Sequence, residues 1–202
     1  MTWSDFRDRH KDETMYVIGG GTSLRDFRWS LIMDRLTMGC NEHVLHMPFI
    51  PNYYYQMDWN KSIDWFFEAV KHFPLIRFVD PQCHEDKDYI SVPRLPQDDE
   101  TLFSEKGIGY ATFSIICMVE IAVYMGCAPI ILLGVDLYED GEYEYFWRRH
   151  CYLYHTKEHL ITMKKRLVQQ FKRFRELGDR VRVGNKDSLL VTKRILKYQE
   201  VT

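Results

Sequence analysis

Three glycines and two hydroxyl residues stand near the start of the chain, directly after the apolar, strand-favouring run Met15–Ile18. The loop consists of Gly19, Gly20, Gly21, Thr22 and Ser23. Glycines let a backbone approach a ligand closely, and the N–H groups at the start of a following helix attract anions such as phosphate. The Ser23 hydroxyl adds another donor. We predict a phosphate-binding loop, although a glycine run is also typical of a tight turn.

This loop departs from two common nucleotide-binding patterns. No Gly-Lys-Ser/Thr follows it, so it is not a Walker loop. No third glycine lies at the offset that the dinucleotide-binding fingerprint requires. The glycine run alone therefore leaves the nucleotide open.

Further candidate residues lie at the end of three other predicted strands or directly after it. They are Asn41, Glu42, Asp58, Gly134 and Asp136. In open α/β sheets ligands bind at the carboxyl ends of strands, so these residues are candidates for substrate binding. A short amide such as Asn41 can read the edge of a base or a ribose, and the Asp58 carboxylate can bind substrate hydroxyls. Turn formation and helix capping are the alternative roles.

Phenols and histidines follow the Gly134–Asp136 segment. Tyr138, Tyr143 and Tyr145 can hold a leaving phosphate without a metal, or they can pack a loop. His155 and His159 have an i, i+4 spacing that suits a metal, but no H-E-x-x-H pattern is present. A single histidine acting as general base is the simpler hypothesis, and a surface histidine without a role is the alternative.

Predicted strands and helices alternate along the chain, which positions these residues at one edge of a sheet. Strands are predicted at 15–18, 37–41, 52–57, 75–79, 130–133 and 180–183, and helices at 24–36, 62–72, 110–125, 160–177 and after Ser188. The alternation predicts an α/β fold with a mostly parallel sheet and helices on both faces. We expect one domain, 1–202, with a polar connection at 81–106 and a small lid at about 138–156.

Composition narrows the class of protein. Hydrophobic residues make up 46% of the chain, enough for a packed core. The five cysteines are odd in number and form no C-x-x-C pair, which favours a reducing compartment over a disulfide framework or a zinc knuckle. The sequence has no signal-peptide pattern and no apolar run of membrane-spanning length. We expect a cytoplasmic protein.

Charge is spread unevenly along the chain. The net charge is −2, yet residues 156–202 carry 13 Lys/Arg against 5 Asp/Glu. A basic C-terminal third can contact an anionic membrane surface, a polyanionic acceptor or nucleic acid. A solvated helix face is the alternative.

Taken together, these segments resemble the bacterial sialyltransferases of glycosyltransferase family 42. They also resemble a related superfamily of uncharacterised and phage proteins that includes archaeal 6-hydroxymethylpterin diphosphokinases. Four stretches carry the resemblance, in order: the G-x-G-P-S-L loop at 17–24, the strand-end asparagine at Cys40-Asn41, the central helix, strand and G-[IV]-D-x-Y-x-x-G turn at 114–126 and 130–141, and the N-S-L segment at 184–190. In this chain Thr22 replaces the proline of the loop and Gly20 an asparagine.

The resemblance implies a Rossmann-like, GT-A-variant fold and a metal-independent transfer of a sialic-acid-like sugar. The donor would be a CMP-sugar, and the acceptor a hydroxyl of a glycan or another molecule. By position, Gly19, Gly21 and Ser23 would line the nucleotide phosphates. Asn41 would contact the nucleotide or sugar, and Ser114 the donor carboxylate or phosphate.

The same resemblance assigns the chemical step. Tyr138, with Tyr143 or Tyr145, would hold the departing phosphate. His155, in His-Thr-Lys, would deprotonate the acceptor hydroxyl. Asp58 falls where the family has an asparagine. No cofactor is implied, and we expect a homo-oligomer without a transmembrane segment.

Two other functions remain open from the sequence. An ATP-dependent, pterin-type diphosphokinase would need Mg²⁺, with Asp136 or Asp58 as ligands. A non-catalytic binding protein would use the basic C-terminal third on nucleic acid or another polyanion. An unrelated α/β fold is the remaining alternative.

Overall fold

An eight-stranded parallel sheet forms the centre of the protein, in the strand order β10-β9-β8-β1-β2-β3-β4-β5. The computed structural model describes residues 1–57, 64–80, 89–95, 103–104, 106–109, 113–137, 146 and 157–202. The sheet strands are β1 (Met15–Ile18), β2 (Thr37–Cys40), β3 (Tyr53–Gln56), β4 (Ile76–Val79), β5 (Ile90–Ser91), β8 (Ile130–Leu133), β9 (Val181–Val183) and β10 (Lys197–Tyr198). A separate antiparallel pair consists of β6 (Phe103–Ser104) and β7 (Gly107–Ile108).

Four α-helices accompany the sheet in the described part of the chain. They are α1 (Asp64–Lys71), α2 (Ser114–Tyr124), α3 (Lys157–Phe171) and α4 (Leu189–Thr192). Short 3₁₀ segments connect several strands, at Thr22–Leu24, Trp29–Leu31, Glu42–His46 and Lys172–Arg180. No helix among the described residues is both long and apolar enough to cross a membrane.

Strand β1 lies between the two halves of the sheet, and the chain adds its later strands first on one side of β1 and then on the other. Val17 pairs with Met38 of β2 on one side and with Leu132 of β8 on the other. Strands β2 to β5 extend the sheet one way, and β8 to β10 extend it the other way. A crevice forms at such a reversal, at the carboxyl ends of the strands. The predicted α/β fold with a mostly parallel sheet is confirmed.

Alternate residues of the central strands pack on opposite faces of the sheet. Met15 and Val17 belong to the larger core, which also contains α2 and side chains of α3 and α4. Ile18 belongs to a second core, with side chains from α1 and from the 3₁₀ segments. Helices therefore cover both faces, as the alternation of strands and helices predicted.

Helix α2 is central to the larger core, since ten of its eleven residues are buried. It leads through a turn into β8, which is parallel to β1. A helix in such a crossover runs antiparallel to the strands. The first turn of α2, with Ser114, therefore lies at the carboxyl edge of the sheet, beside the crevice.

All six predicted strands are present, with bounds that agree to within one residue. The four strands β5, β6, β7 and β10 were missed, because two residues are too short to show a period. The predicted helix at 24–36 was wrong: the segment forms two 3₁₀ turns. Phe27 and Trp29 pack edge to face at 5.4 Å, and aromatic residues are weaker helix formers than Ala or Leu.

Two further differences concern the C-terminal half and the lid. A helix was predicted at 160–177, but the observed α-helix ends at Phe171 and a 3₁₀ segment follows it. Within that segment Gly178 has φ +57°. Ser188 caps α4 as predicted, because its hydroxyl accepts a hydrogen bond from the Leu190 N–H at 3.3 Å. The lid at 138–156 and the start of the predicted helix at Ser62 lie outside the described residues, apart from Phe146.

Glu120 is a carboxyl group inside the apolar helix α2, with no exposed surface. Its nearest cation is Arg173, with 3.6 Å between Nη1 and Oε1, which is too long for a strong hydrogen bond. Burial raises the pKa of Glu120 to about 8. The folded protein therefore holds a proton that the unfolded chain releases above pH 4.5, and stability is lost as the pH rises from 4.5 to about 8.

We expect Glu120→Gln to remove this loss. The free energy of unfolding of the variant, relative to the original protein, should grow with pH in that window by up to about 1.4 kcal/mol per pH unit. Urea unfolding at several pH values measures this difference. The exposed Glu176→Gln is the matched control. Parallel pH profiles for the Glu120 variant and the original protein would show that this carboxyl group is not protonated by burial.

Candidate functional site

The Asp136 carboxylate is the centre of a hydrogen-bonded network at the carboxyl ends of β1 and β8. It lies just after β8, is 5% exposed, and accepts hydrogen bonds from two distant segments. The Ser23 N–H donates to Oδ2 at 2.9 Å and the Ser23 hydroxyl to Oδ1 at 2.5 Å. The Asn185 amide donates to Oδ1 at 2.8 Å. One side chain thus joins the glycine loop, the turn after β8 and the segment before α4.

Ser188 holds the same turn from the other side. Its hydroxyl donates to the Val135 carbonyl at 2.7 Å, and the Leu189 N–H donates to the Asp136 carbonyl at 3.2 Å. Gly134 begins the turn with φ +63°, a conformation that glycine adopts without strain. The three sequence motifs of the loop, the turn and the N-S-L segment therefore form one hydrogen-bonded unit.

The glycine loop lies against the turn after β8 at backbone distance. The Gly19 N–H donates to the Leu133 carbonyl at 2.7 Å, and the Gly21 N–H to the Gly134 carbonyl at 2.8 Å. A Cβ atom added at Gly21 would overlap the Asp136 carboxylate and lie 2.7 Å from the Gly134 carbonyl oxygen. Glycine is needed at this position because of the close approach, since its φ of −67° is open to any residue.

Alternate N–H groups of the loop are left without an acceptor. Those of Gly19, Gly21 and Ser23 bond to the segment after β8. Those of Gly20 and Thr22 have no acceptor among the described residues. They are the donors available to an anion, since the Ser23 hydroxyl proton is already engaged by Asp136.

Asn41 lies at the end of β2, next to β1, with unusual backbone angles of φ +53° and ψ −160°. A non-glycine residue rarely adopts a positive φ, and such strain is concentrated at functional sites. Its side chain is half-buried and has no hydrogen-bond partner in the described part of the chain. Glu42 follows it, with 3.4 Å between its Oε1 and Nε2 of His46. The Asn41 amide therefore has no partner from the described residues that a ligand would have to displace.

His43 ties the ends of β1 and β2 together beneath Asn41. Its Nε2 lies 2.9 Å from the Ile18 carbonyl oxygen and 3.2 Å from the Cys40 backbone nitrogen. Complete burial lowers the pKa of His43 to about 4, so the ring is neutral at pH 7. Sequence reasoning did not select His43, because a histidine in a helical turn carries no local signal of such a role.

Phe146 brings one residue of the predicted lid to the loop. Its N–H donates to the Gly20 carbonyl at 3.0 Å, and its ring lies 5.7 Å from that of Trp29. Leu137, where the chain leaves the turn after β8, has φ +50°. The positive-φ residues Gly134 and Leu137 thus flank Asp136 on both sides.

A second polar network, missed from the sequence, lies where β3 and β4 end. The Arg94 Nε donates to the Asp80 carboxylate at 2.7 Å, and its Nη2 donates to the Tyr55 hydroxyl at 2.8 Å. Nη1 donates to the Gly109 carbonyl at 3.3 Å. Burial raises the pKa of the neighbouring Cys117 to about 11, so its thiol is protonated at pH 7. Asp80 follows a strand directly, but the segment around Arg94 has no pattern that predicts this pairing.

The structure brings most of the predicted binding residues to one edge of the sheet. Those at this edge are Gly19, Gly20, Gly21, Thr22, Ser23, Asn41, Glu42, Ser114, Gly134 and Asp136. Five others lie outside the described residues: Asp58, Tyr138, Tyr143, Tyr145 and His155. Within the described ranges no group of three or more His, Cys, Asp or Glu side chains is placed to hold a metal ion.

The fold defines a Rossmann-like α/β protein, and two backbone donors at its strand reversal have no acceptor among the described residues. No protein-family model and no curated protein matches the sequence. Among solved structures, the chain is similar to the sialyltransferase CstII from Campylobacter jejuni in complex with a substrate analogue, cytidine-5'-monophosphate. The TM-score is 0.53 and the identity 11%, over 93% of this chain and 85% of that chain.

Two further solved structures are similar. CstII in complex with CMP-3FNeuAc gives a TM-score of 0.54 at 9% identity, over 94% of this chain and 87% of that chain. The MAf glycosyltransferase from Magnetospirillum magneticum AMB-1 gives a TM-score of 0.47 at 17% identity, over 72% of this chain but only 28% of that chain. At such identities the likeness to CstII shows a shared fold. None of the three is a phage protein or a pterin diphosphokinase.

We expect Asp136→Asn to destabilise the protein by about 3 kcal/mol, because an amide presents its NH₂ to at least one of the three donors that the carboxylate accepts. Urea unfolding at neutral pH measures this loss. The exposed Asp26→Asn, close to the same loop, is the control and should change the free energy of unfolding by less than about 0.5 kcal/mol. An Asp136 variant as stable as this control would contradict the role of the carboxylate.

Proposed function

We propose that this chain is a glycosyltransferase that moves a sialic-acid-like sugar from a CMP-sugar donor to an acceptor hydroxyl, without a metal ion. The observation that carries the proposal is the pair of N–H groups at Gly20 and Thr22, at the strand reversal, which have no acceptor in the part of the chain that the structure describes. The shared fold with CstII, whose structures contain CMP or CMP-3FNeuAc, supports this choice of nucleotide.

The nucleotide would lie across the ends of β1 and β2. Its phosphate would accept hydrogen bonds from the Gly20 and Thr22 N–H groups, which Asp136 and Gly21 hold in place from behind. The Asn41 amide, unpaired among the described residues, would bind the base, the ribose or the sugar. Ser114, at the start of α2, would contact the donor carboxylate.

The chemical step follows the resemblance to the family 42 enzymes. The acceptor oxygen attacks the anomeric carbon while the bond from that carbon to the phosphate oxygen breaks, and CMP leaves with the electron pair. His155 takes the proton of the acceptor hydroxyl. Tyr138, with Tyr143 or Tyr145, donates hydrogen bonds to the departing phosphate. These four side chains are assigned by sequence position alone.

The diphosphokinase alternative gains no support from Asp136. Its carboxylate accepts two hydrogen bonds on Oδ1 and one on Oδ2, and these bonds hold the glycine loop and the segment before α4. One lone pair of Oδ2 is left, and among the described residues no group of three or more His, Cys, Asp or Glu side chains is placed to hold a metal ion. Asp136 therefore fits a positioning role better than that of a metal ligand.

We expect CMP to stabilise the protein in the presence of EDTA. At a concentration of about 100 times Kd, binding adds about 2.7 kcal/mol, which raises the Tm of a chain of this size by about 5–10 °C. Asn41→Ala should weaken CMP binding at least about tenfold, because the amide loses its hydrogen bonds to the ligand. Gln169→Ala, which removes an exposed amide, is the control. Thermal shift measures the rise in Tm, and calorimetry measures the affinity for CMP.

Thermal-shift measurements with CMP in EDTA, and with ATP and Mg²⁺, distinguish a transferase, a kinase and a binding protein by three outcomes. A shift with CMP in EDTA, followed by EDTA-resistant hydrolysis of CMP-sialic acid that His155→Ala abolishes, supports the transferase. A shift only with ATP and Mg²⁺ contradicts it in favour of the kinase. No shift with any nucleotide contradicts both and favours a binding protein on the same scaffold.

A further inference from the structure

Helix α3 carries a basic outer face that faces away from the core. Its exposed side chains include Lys165, Arg166 and Gln169, and Lys172 continues the same face into the following 3₁₀ segment. Ile161, on the same face one turn before Lys165, is 45% exposed. We call Ile161, Lys165, Arg166, Gln169 and Lys172 the basic face.

The opposite side of the same stretch is fixed in the protein. Leu167, Phe171 and Phe174 belong to the larger core and are at most 6% exposed. This packing determines which side of the helix faces outward. The basic face is therefore exposed on the surface of the folded protein.

The charge on this stretch is of one sign. Residues 161–175 contain six Lys or Arg and no Asp or Glu. The nearest acidic residues in the sequence are Glu158 before the stretch and Glu176 and Asp179 after it, and the Asp179 carboxylate is paired with Lys197 at 2.6 Å. A solvated surface helix usually alternates its charges, so a one-sign face favours an anionic partner.

We propose that the basic face of α3 binds the surface of an anionic lipid membrane. Basic side chains beside an exposed isoleucine suit a helix that lies in the interface, with its cations near the headgroups and its apolar side chain below them. Single-stranded nucleic acid is bound through exposed aromatic rings as well as cations. Both aromatic residues of this stretch, Phe171 and Phe174, are buried, which favours the membrane.

This inference does not depend on the proposed transferase activity. The basic face contains no residue of the crevice between β1 and β8, so a variant of the face leaves the crevice unchanged. Membrane binding and CMP binding can therefore fail or succeed separately.

The test is co-sedimentation of the full chain with vesicles of phosphatidylcholine alone or mixed equally with phosphatidylglycerol. We expect binding to the mixed vesicles at low salt, and its loss at high salt. Neutralising Lys165, Arg166 and Lys172 together with Gln should weaken this binding about 100-fold, at about 1 kcal/mol for each cation. The matched control neutralises the exposed cations Lys11, Arg28 and Arg35 and should bind within about threefold of the original protein.

A second variant, Ile161→Asp, tests the apolar contact. It should weaken binding to the mixed vesicles while leaving the circular dichroism spectrum and Tm unchanged, because Ile161 is outside the core. The proposal is overturned if the original protein does not bind the mixed vesicles, or if the triple variant and its control bind equally. Binding to single-stranded RNA of mixed sequence, without vesicle binding, would overturn it in favour of a nucleic-acid partner.

Discussion

The hydrogen bonds to the Asp136 carboxylate are the constraint on which the edge of the sheet depends. A buried carboxylate is stable only where donors replace the water it has lost, and three donors from Ser23 and Asn185 do so here. These donors come from segments that are 113 and 49 residues away in sequence. Together with the backbone hydrogen bonds of Gly19 and Gly21, this carboxylate therefore fixes the relative positions of the glycine loop, the turn after β8 and the segment before α4.

The position of the glycine loop against the turn after β8 also determines which of its backbone N–H groups can bind a ligand. Every second N–H of the glycine loop is used to hold the loop against the turn, and those of Gly20 and Thr22 remain without acceptors among the described residues. Asn41 follows the neighbouring strand β2 with a strained backbone, and His43 contacts the ends of both β1 and β2. A site with donors held rigidly in place binds an anion without losing conformational entropy at that moment. This is the physical basis for proposing a nucleotide phosphate at this edge.

Local patterns in the sequence predicted the strands, the glycine loop and the polar residues that follow the strands, because each depends on a few neighbouring residues. The pairing of Asp136 with Ser23 and Asn185, and that of Arg94 with Asp80, could not be predicted, because it depends on contacts made only when the sheet is assembled. The same holds for the 3₁₀ turns at 22–31, where packing of Phe27 and Trp29 outweighs a helical spacing of apolar residues.

The most direct test of the central claim is a titration of ¹⁵N-labelled protein with CMP, followed by the amide resonances of the glycine loop. The account predicts that the amides of Gly19, Gly21 and Ser23 are protected from hydrogen exchange before CMP is added. It predicts that those of Gly20 and Thr22 exchange freely and become shifted and protected when CMP binds. Protection of Gly20 and Thr22 in the free protein, or CMP-induced shifts confined to other parts of the chain, would contradict it.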